Sequence, residues 1–290
     1  MRISAWLRTG LVTAGLLGLC GAASAQITGN VKLDGKAPKM EPINMTAVPA
    51  CAAMHDKPIL EETVVVDDKG NLANAVVWLT GDNIKASVPA APVIVEQKGC
   101  QYVPHVVAVV VGQKLVARNG DPFLHNVHTL PDNNLGKNLA QVNKEDDDLP
   151  SLKVPEVFIV KCDIHPWMKA WIAGVPNQYV AVTGADGNYS IDTKGLADGE
   201  YTINVWQEKA KKPDPDKDPC ITQKITVKNG KATSDFKVEL RVKVASAEPV
   251  APQAAQNVTV VTVECPVCAD GKCEKPADPK ASAAVTAATK

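Results

Sequence analysis

The stretch Lys161-Cys162-Asp163-Ile164-His165-Pro166-Trp167-Met168 sets a thiol, an imidazole and a thioether close together along the chain. Two imidazole nitrogens and one cysteine sulfur in a trigonal set, with a methionine sulfur weakly on the axis, are the donors of a mononuclear blue-copper site. The stretch lacks one histidine, and His125, in Asp121-Pro122-Phe123-Leu124-His125-Asn126-Val127-His128, is the candidate to supply it. The chemistry of such a set is one-electron transfer. Cysteine sulfur binds copper strongly and gives the electron a covalent route, and an arrangement between the preferences of Cu(I) and Cu(II) keeps reorganisation small. Two other readings of the same residues stand beside it. Cys162 can be half of a disulfide, because Cys-x-x-His is a short and common pattern. A tetrahedral zinc site also takes Cys and His, although a thioether is a poor zinc donor.

Donors on a loop hold a fixed geometry only when rigid elements flank it. The pattern predicts strands over 154–160 and 169–175 with the Cys162 motif as a tight loop between them, and Asn119-Gly120-Asp121-Pro122 as the loop that delivers His125. Upstream, strands are predicted over 27–34, 62–66, 73–80, 93–97, 106–111 and 114–118. The second and third are joined by a hairpin turn at Asp67-Asp68-Lys69-Gly70. The continuous apolar run 106–111 is that of a strand buried on both faces. Residues 130–152, with Glu145-Asp146-Asp147-Asp148, read as a solvated loop rather than a charged binding face. From Gln178 onward short strands (179–183, 189–192, 201–207, 220–227, 232–244) alternate with turns at Asp186-Gly187 and Asp198-Gly199. Few aromatics, many Val and Thr, and frequent Gly and Pro make the fold class all-β.

His128 would face away from His125 on a regular strand, so it supports the site from behind or sits at the surface; the alternative is a ligand in place of Met168. His105, beside Pro104, has the same standing. Trp167 and Trp171 either shield a metal from water or form a docking surface for a redox partner. Cys51 and His55, four residues apart, read as a disulfide cysteine beside a surface histidine.

Arg2, Arg8, an apolar run over 11–19 and Ala23-Ser24-Ala25 predict a leader, residues 1–25, cut after Ala25, and hence a periplasmic or secreted product. Removing two arginines and no acid moves the formal charge from −1 to −3, with 29 basic against 32 acidic residues. A near-balanced chain lacks the basic face that nucleic acid demands. No later stretch is long and apolar enough to span a bilayer. Of eight cysteines, seven follow the leader, and the odd count leaves one thiol unpaired, for which Cys162 is the choice. Residues 246–290 form a low-complexity tail. Its Cys265, Cys268 and Cys273 read as disulfide partners, with Cys220 pairing one of them, or as a soft-metal thiol site.

Residues 93–175 resemble a cupredoxin domain, a Greek-key sandwich, in the strand ending at Gln97, the strand ending at Asn119, the His125-Asn126 pair, and the last hairpin with Cys162, His165 and Met168. In that family the first histidine ligand is commonly followed by Asn, whose side chain ties the ligand loops together, which is the role implied for Asn126. Typical members place more residues between the second histidine and the methionine than Pro166 and Trp167. Residues 179–191 with 198–201 resemble the carboxypeptidase regulatory-like β-sandwich, without its catalytic domain, and 27–31 with 74–79 resemble its opening strands. The implied organisation is an N-terminal β segment at 26–91, a copper domain at 92–176 inserted into the second sandwich, and the rest of that sandwich at 177–245. The whole is similar to bacterial extracytoplasmic cupredoxin-like proteins that join these two units, some of which carry the label of methylamine utilisation proteins. The resemblance implies one copper ion, a Cys51–Cys100 disulfide, and an electron carrier rather than an enzyme, working with a redox partner protein or a copper donor or acceptor. Copper binding, buffering or delivery is a second class, and a cell-surface interaction module without a redox role is a third. An oxidase needs a further copper centre, for which five histidines leave few donors.

Overall fold

A computed structural model describes residues 25–211 and 220–241. Residues 1–24 of the predicted leader and the tail cysteines Cys265, Cys268 and Cys273 lie outside the described residues.

Alternating apolar and polar residues produce the strands in chain order. The first is β1 (Gln26–Asp34), followed by a short helix α1 (Pro49–Ala52) and β2 (Val76–Thr80). Then come β3 (Val93–Gln97), β4 (Tyr102–Val103), β5 (Val106–Val110), β6 (Leu115–Asn119), β7 (His125–Leu130), β8 (Asn138–Gln141), β9 (Glu145–Leu149), β10 (Glu156–Lys161) and β11 (Lys169–Val175). The last six are β12 (Val180–Val182), β13 (Asn188–Asp192), β14 (Gly199–Trp206), β15 (Ile221–Val227), β16 (Ala232–Thr233) and β17 (Phe236–Glu239). The class is all-β, in two sandwiches.

Residues 93–175 form the first sandwich. One sheet runs β5-β11-β10-β7-β8 and the other β4-β3-β6-β9. Val95, Leu115, Ala117, Val127, Phe158, Val160 and Ile172 fill the space between them. The second sandwich joins the sheet β12-β2-β14-β15 to a sheet in which β1 lies between β13 and β16 and also pairs with β17. Ile27, Val31, Val77, Leu79, Ile203, Val205, Phe236 and Val238 make its core. β2 pairs with β12 and β14, so residues on both sides of 93–175 build this unit.

The period of two along a strand explains how the sandwiches meet. Val107 and Val109 of β5 enter the first core, while Val106 and Val110 face the other way onto Val76 and Trp206 of the second sandwich, together with Ala173 and Val175. That is why 106–110 is apolar without interruption.

Two expectations need correction. Residues 130–152 are not a plain solvated loop: they contain β8 and the acid-rich β9, which pairs with β6. Arg118 on β6 forks onto Asp146 at 2.8 Å, and Lys114 reaches Asp148 at 2.9 Å, so cations on the neighbouring strand offset the repulsion within β9. Acids on such an edge strand also oppose pairing with another chain. The strand expected over 62–66 is reduced to an isolated bridge, Val66 with Leu72. The Asp67 carboxylate accepts the N–H groups of Lys69 and Asn71 at 2.9 and 2.8 Å, so a side chain rather than a ladder shapes this turn.

Gly187 turns β12 into β13 at φ +68°, and a Cβ there would sit 2.6 Å from the Val31 carbonyl oxygen and 3.0 Å from the Leu72 nitrogen. Gly187→Ala is expected to destabilise the protein by about 2 kcal/mol or more, from left-handed strain plus the clash. The measurement is a lower urea midpoint at unchanged slope; an unmoved midpoint would contradict this turn.

Candidate metal centre

The pairing of β10 with β11 runs to Lys161 opposite Lys169, which leaves residues 162–168 as the connecting loop. Cys162 N–H donates to the Met168 carbonyl at 3.1 Å and Met168 N–H to the His165 carbonyl at 2.8 Å. The sulfur, imidazole and thioether residues are thereby held in one closed turn. His125 opens β7, next to β10 in the same sheet. Asn126 spans the two elements: its Oδ1 accepts the Asp163 N–H at 3.0 Å. The Tyr102 hydroxyl donates to the carbonyls of Asn126 and Lys161 at 2.6 and 3.1 Å, fastening both loops from below.

These elements bring three donors together. His125 Nδ1 stands 3.1 Å from His165 Nδ1, and Cys162 Sγ stands 3.6 Å from His165 Nδ1. Nitrogens about 2.0–2.1 Å and a sulfur about 2.3 Å from one ion stand about 3.1 and 3.6 Å apart at angles of about 100–110°. The donor set therefore fits a metal ion. His125, Cys162 and His165 are 0, 1 and 3% exposed, so water is excluded. Met168, 1% exposed, is packed into the same core.

His125 presents Nδ1 because Nε2 is engaged by the Asp121 carboxylate at 2.8 Å. Asp121 is itself buried and accepts the N–H groups of Gly99 and Cys100 at 2.8 and 2.9 Å. A carboxylate behind a ligand histidine fixes the ring and raises its basicity. Burial would raise the Asp121 carboxyl, but its bonds to His125, Cys100 and Gly99 hold it below the usual value. His125 is opposed by burial and pushed above its usual value by Asp121 and Cys162. His165 is lowered, by burial and by His125 beside it. For Cys162 burial works against the thiolate, yet the hydrogen bond with His125 and the backbone N–H groups of His165, Ile164 and Asn126 outweigh it and lower the thiol.

Other predicted residues lie elsewhere. His128 points off the other face of β7 and pairs with Asp163, Nδ1 to Oδ2 at 2.9 Å. His105 precedes β5 and pairs with Glu208 of the second sandwich at 3.2 Å. Trp171 donates to the same Glu208 and packs, tilted by 58°, with its ring 5.2 Å from that of Trp206, so it belongs to the junction of the sandwiches. Trp167 lies 5.3 Å, ring to ring, from His165 and covers it. Cys51 and Cys100 form a disulfide. The His55 Nε2–H donates to the Gly99 carbonyl at 2.8 Å, so that histidine is part of the turn rather than a bystander. Asp121 and Tyr102 are the site residues that sequence reasoning missed. The only sequence mark of Asp121 is its position four residues before His125.

In the metal-free protein, the thiolate absorbance that differs between wild type and Cys162→Ser is expected to titrate below the ordinary thiol value of 9.0. Because the folded-state value is the lower one, this group stabilises the fold above the unfolded thiol's value. That contribution is lost as pH falls through the lowered value. A titration at or above the ordinary value would contradict the hydrogen-bonded arrangement.

No protein-family model matches the chain, and no curated protein matches it. Among solved structures, amicyanin from Paracoccus versutus is similar over 34% of this chain and 97% of its own, at 18% identity and a TM-score of 0.27. A purple cupredoxin from Nitrosopumilus maritimus is similar over 29% of this chain and 99% of its own, at 18% identity and a TM-score of 0.25. The copper-containing nitrite reductase of Thermus scotoductus is similar over 33% of this chain and 25% of its own, at 23% identity and a TM-score of 0.26.

Proposed function

We propose that this protein binds one copper ion through His125 Nδ1, Cys162 Sγ and His165 Nδ1, with Met168 as the weak axial donor, and that it carries single electrons outside the cytoplasm. The observation behind this reading is the convergence of two Nδ1 atoms and one Sγ in a buried pocket, with the second nitrogen of His125 already engaged by Asp121. The bound metal supplies a one-electron couple.

The chain's own residues account for the rest. Asp121 orients His125, and Asn126 holds the Asp163 amide so that Cys162 keeps its place. Trp167 and the surrounding core keep water out, which limits reorganisation when charge changes. Cys162 continues directly into β10 and so offers a covalent path out of the site. Buried donors exchange metal slowly, which favours a carrier over the second reading, copper buffering or delivery. The disulfide is of the kind that persists in oxidising compartments, in keeping with the predicted leader and a periplasmic or secreted location. Among the described residues no helix is long and apolar enough to cross a membrane. The partner is a redox protein or a copper donor or acceptor, and the chain itself is not an enzyme. We read the second sandwich as carboxypeptidase regulatory-like, on its Asp186-Gly187 and Asp198-Gly199 turn motifs, and as the support against which β5 and β11 pack.

The test is the visible and electron paramagnetic resonance spectrum of the Cu(II)-loaded protein beside Cys162→Ser. An intense thiolate-to-copper band with narrow hyperfine splitting, lost in the variant, is expected, together with reversible reduction without loss of metal. A colourless protein with an ordinary square-planar signal would overturn the reading. Met168→Leu is expected to keep the band and raise the reduction potential, since losing an axial donor disfavours Cu(II). His128→Ala is expected to leave both unchanged; a raised potential there, with none on Met168→Leu, would replace Met168 with His128 as the fourth ligand.

A further inference from the structure

The turn Gly99-Cys100 touches the candidate metal centre on two sides. Its N–H groups, at 2.8 and 2.9 Å, hold the Asp121 carboxylate that orients His125. Its Cys100 carbonyl accepts the Trp167 Nε1–H at 3.0 Å, and Trp167 covers His165. The Sγ atoms of Cys51 and Cys100 and a His165 ring nitrogen lie within 4.8 Å of one another. Gly99 and Cys100 both have positive φ, +63° and +53°, as the two central residues of a hairpin turn between β3 and β4 closed by the Lys98 N–H on the Gln101 carbonyl at 2.9 Å, and their N–H groups meet the two oxygens of the Asp121 carboxylate. The non-glycine residue of that turn, Cys100, is tied by its side chain to Cys51 in α1, which fixes the turn against the preceding segment. His55, on the same segment as Cys51, takes the Gly99 carbonyl from the outer side at 2.8 Å.

We propose that the Cys51–Cys100 disulfide is a positioning element of the metal centre, which sets the copper reduction potential by holding Asp121 against His125. The proposal rests on the copper reading above. The fixed carboxylate raises the donor strength of His125 and adds negative charge near the ion, and both favour Cu(II) over Cu(I). When the turn loosens, the two N–H groups no longer align Asp121, and that preference weakens.

The experiment measures the reduction potential and the thiolate-to-copper band in five proteins: wild type, Cys51→Ala with Cys100→Ala, Asp121→Asn, the combination of all three substitutions, and His55→Leu. Removing the disulfide is expected to weaken the preference for Cu(II) about tenfold, a rise of about 59 mV for one electron, and Asp121→Asn to do at least as much. In the Asp121→Asn background the disulfide substitutions are expected to add less than a further threefold, because they act through that carboxylate. His55→Leu, which leaves the disulfide intact, is expected to give a smaller rise, about threefold in the same preference; if the disulfide variant does not fold, this variant decides. An unmoved potential in a folded, copper-loaded disulfide variant, or an undiminished shift in the Asn background, overturns the proposal while the copper reading survives. A wild-type protein without the thiolate band overturns both.

Discussion

The candidate site depends on one backbone constraint, the antiparallel register of β10 with β11, from Glu156 opposite Gly174 to Lys161 opposite Lys169. A slip of one residue would turn every side chain on β11 to the other face. Ile172 would leave the core and Trp171 would enter it. With the register fixed, the loop 162–168 closes on its own hydrogen bonds between Cys162, His165 and Met168, held from outside by Asn126 and Cys100, and this closure puts sulfur and imidazole on the same side. β7 then needs only to lie beside β10 for His125 to complete the group, and three paired positions from Leu130 to His128 place it there.

The candidate site was legible in the sequence because its residue types are rare and their spacing short: Cys162, His165 and His125, which the structure brings together, could be named before any fold, and so could Met168 beside them. The flanking strands were legible from period and turn residues, and the two-faced burial of 106–110 from its lack of polar interruption. Three things were not legible, each for a tertiary reason. The charges of Glu145 to Asp148 read as a loop because their counter-ions, Arg118 on β6 and Lys114 just before it, stand far upstream. Asp121 read only as a turn residue before Pro122, since nothing local shows that its carboxylate is buried against a histidine and two amides. His105 read as a spare metal donor because its partner, Glu208, comes from the other sandwich, 103 positions along the chain.

That pairing also bears on how the two sandwiches are joined. The apolar contact through Val76, Val106, Val110, Val175 and Trp206 supplies attraction with little direction. Glu208 adds direction: it receives His105 and Trp171 from one unit while it sits in the turn just after β14 of the other. A buried ionic group of this kind contributes little net stability, because desolvation offsets most of the attraction. Its effect is to disfavour other packings, in which the carboxylate would be left without donors. Trp171 therefore reports on the alignment of the units although it sits only three residues beyond Met168.

The connectivity of β1 has a consequence for the order in which the molecule can assemble. Gln26 pairs with Asp192 and Val31 with Phe236, whereas the strands that carry the metal donors are contiguous in the chain. Pairings so distant in sequence form slowly, because the intervening chain must first be ordered. During synthesis the sandwich of residues 93–175 can therefore be complete while β1 and β2, made earlier, still present open edges and apolar faces. Such edges are where unfinished β proteins aggregate. For this chain the vulnerable interval ends only with the arrival of β17, the last strand among the described residues, which makes a truncation before it more damaging to yield than to the chemistry of the site.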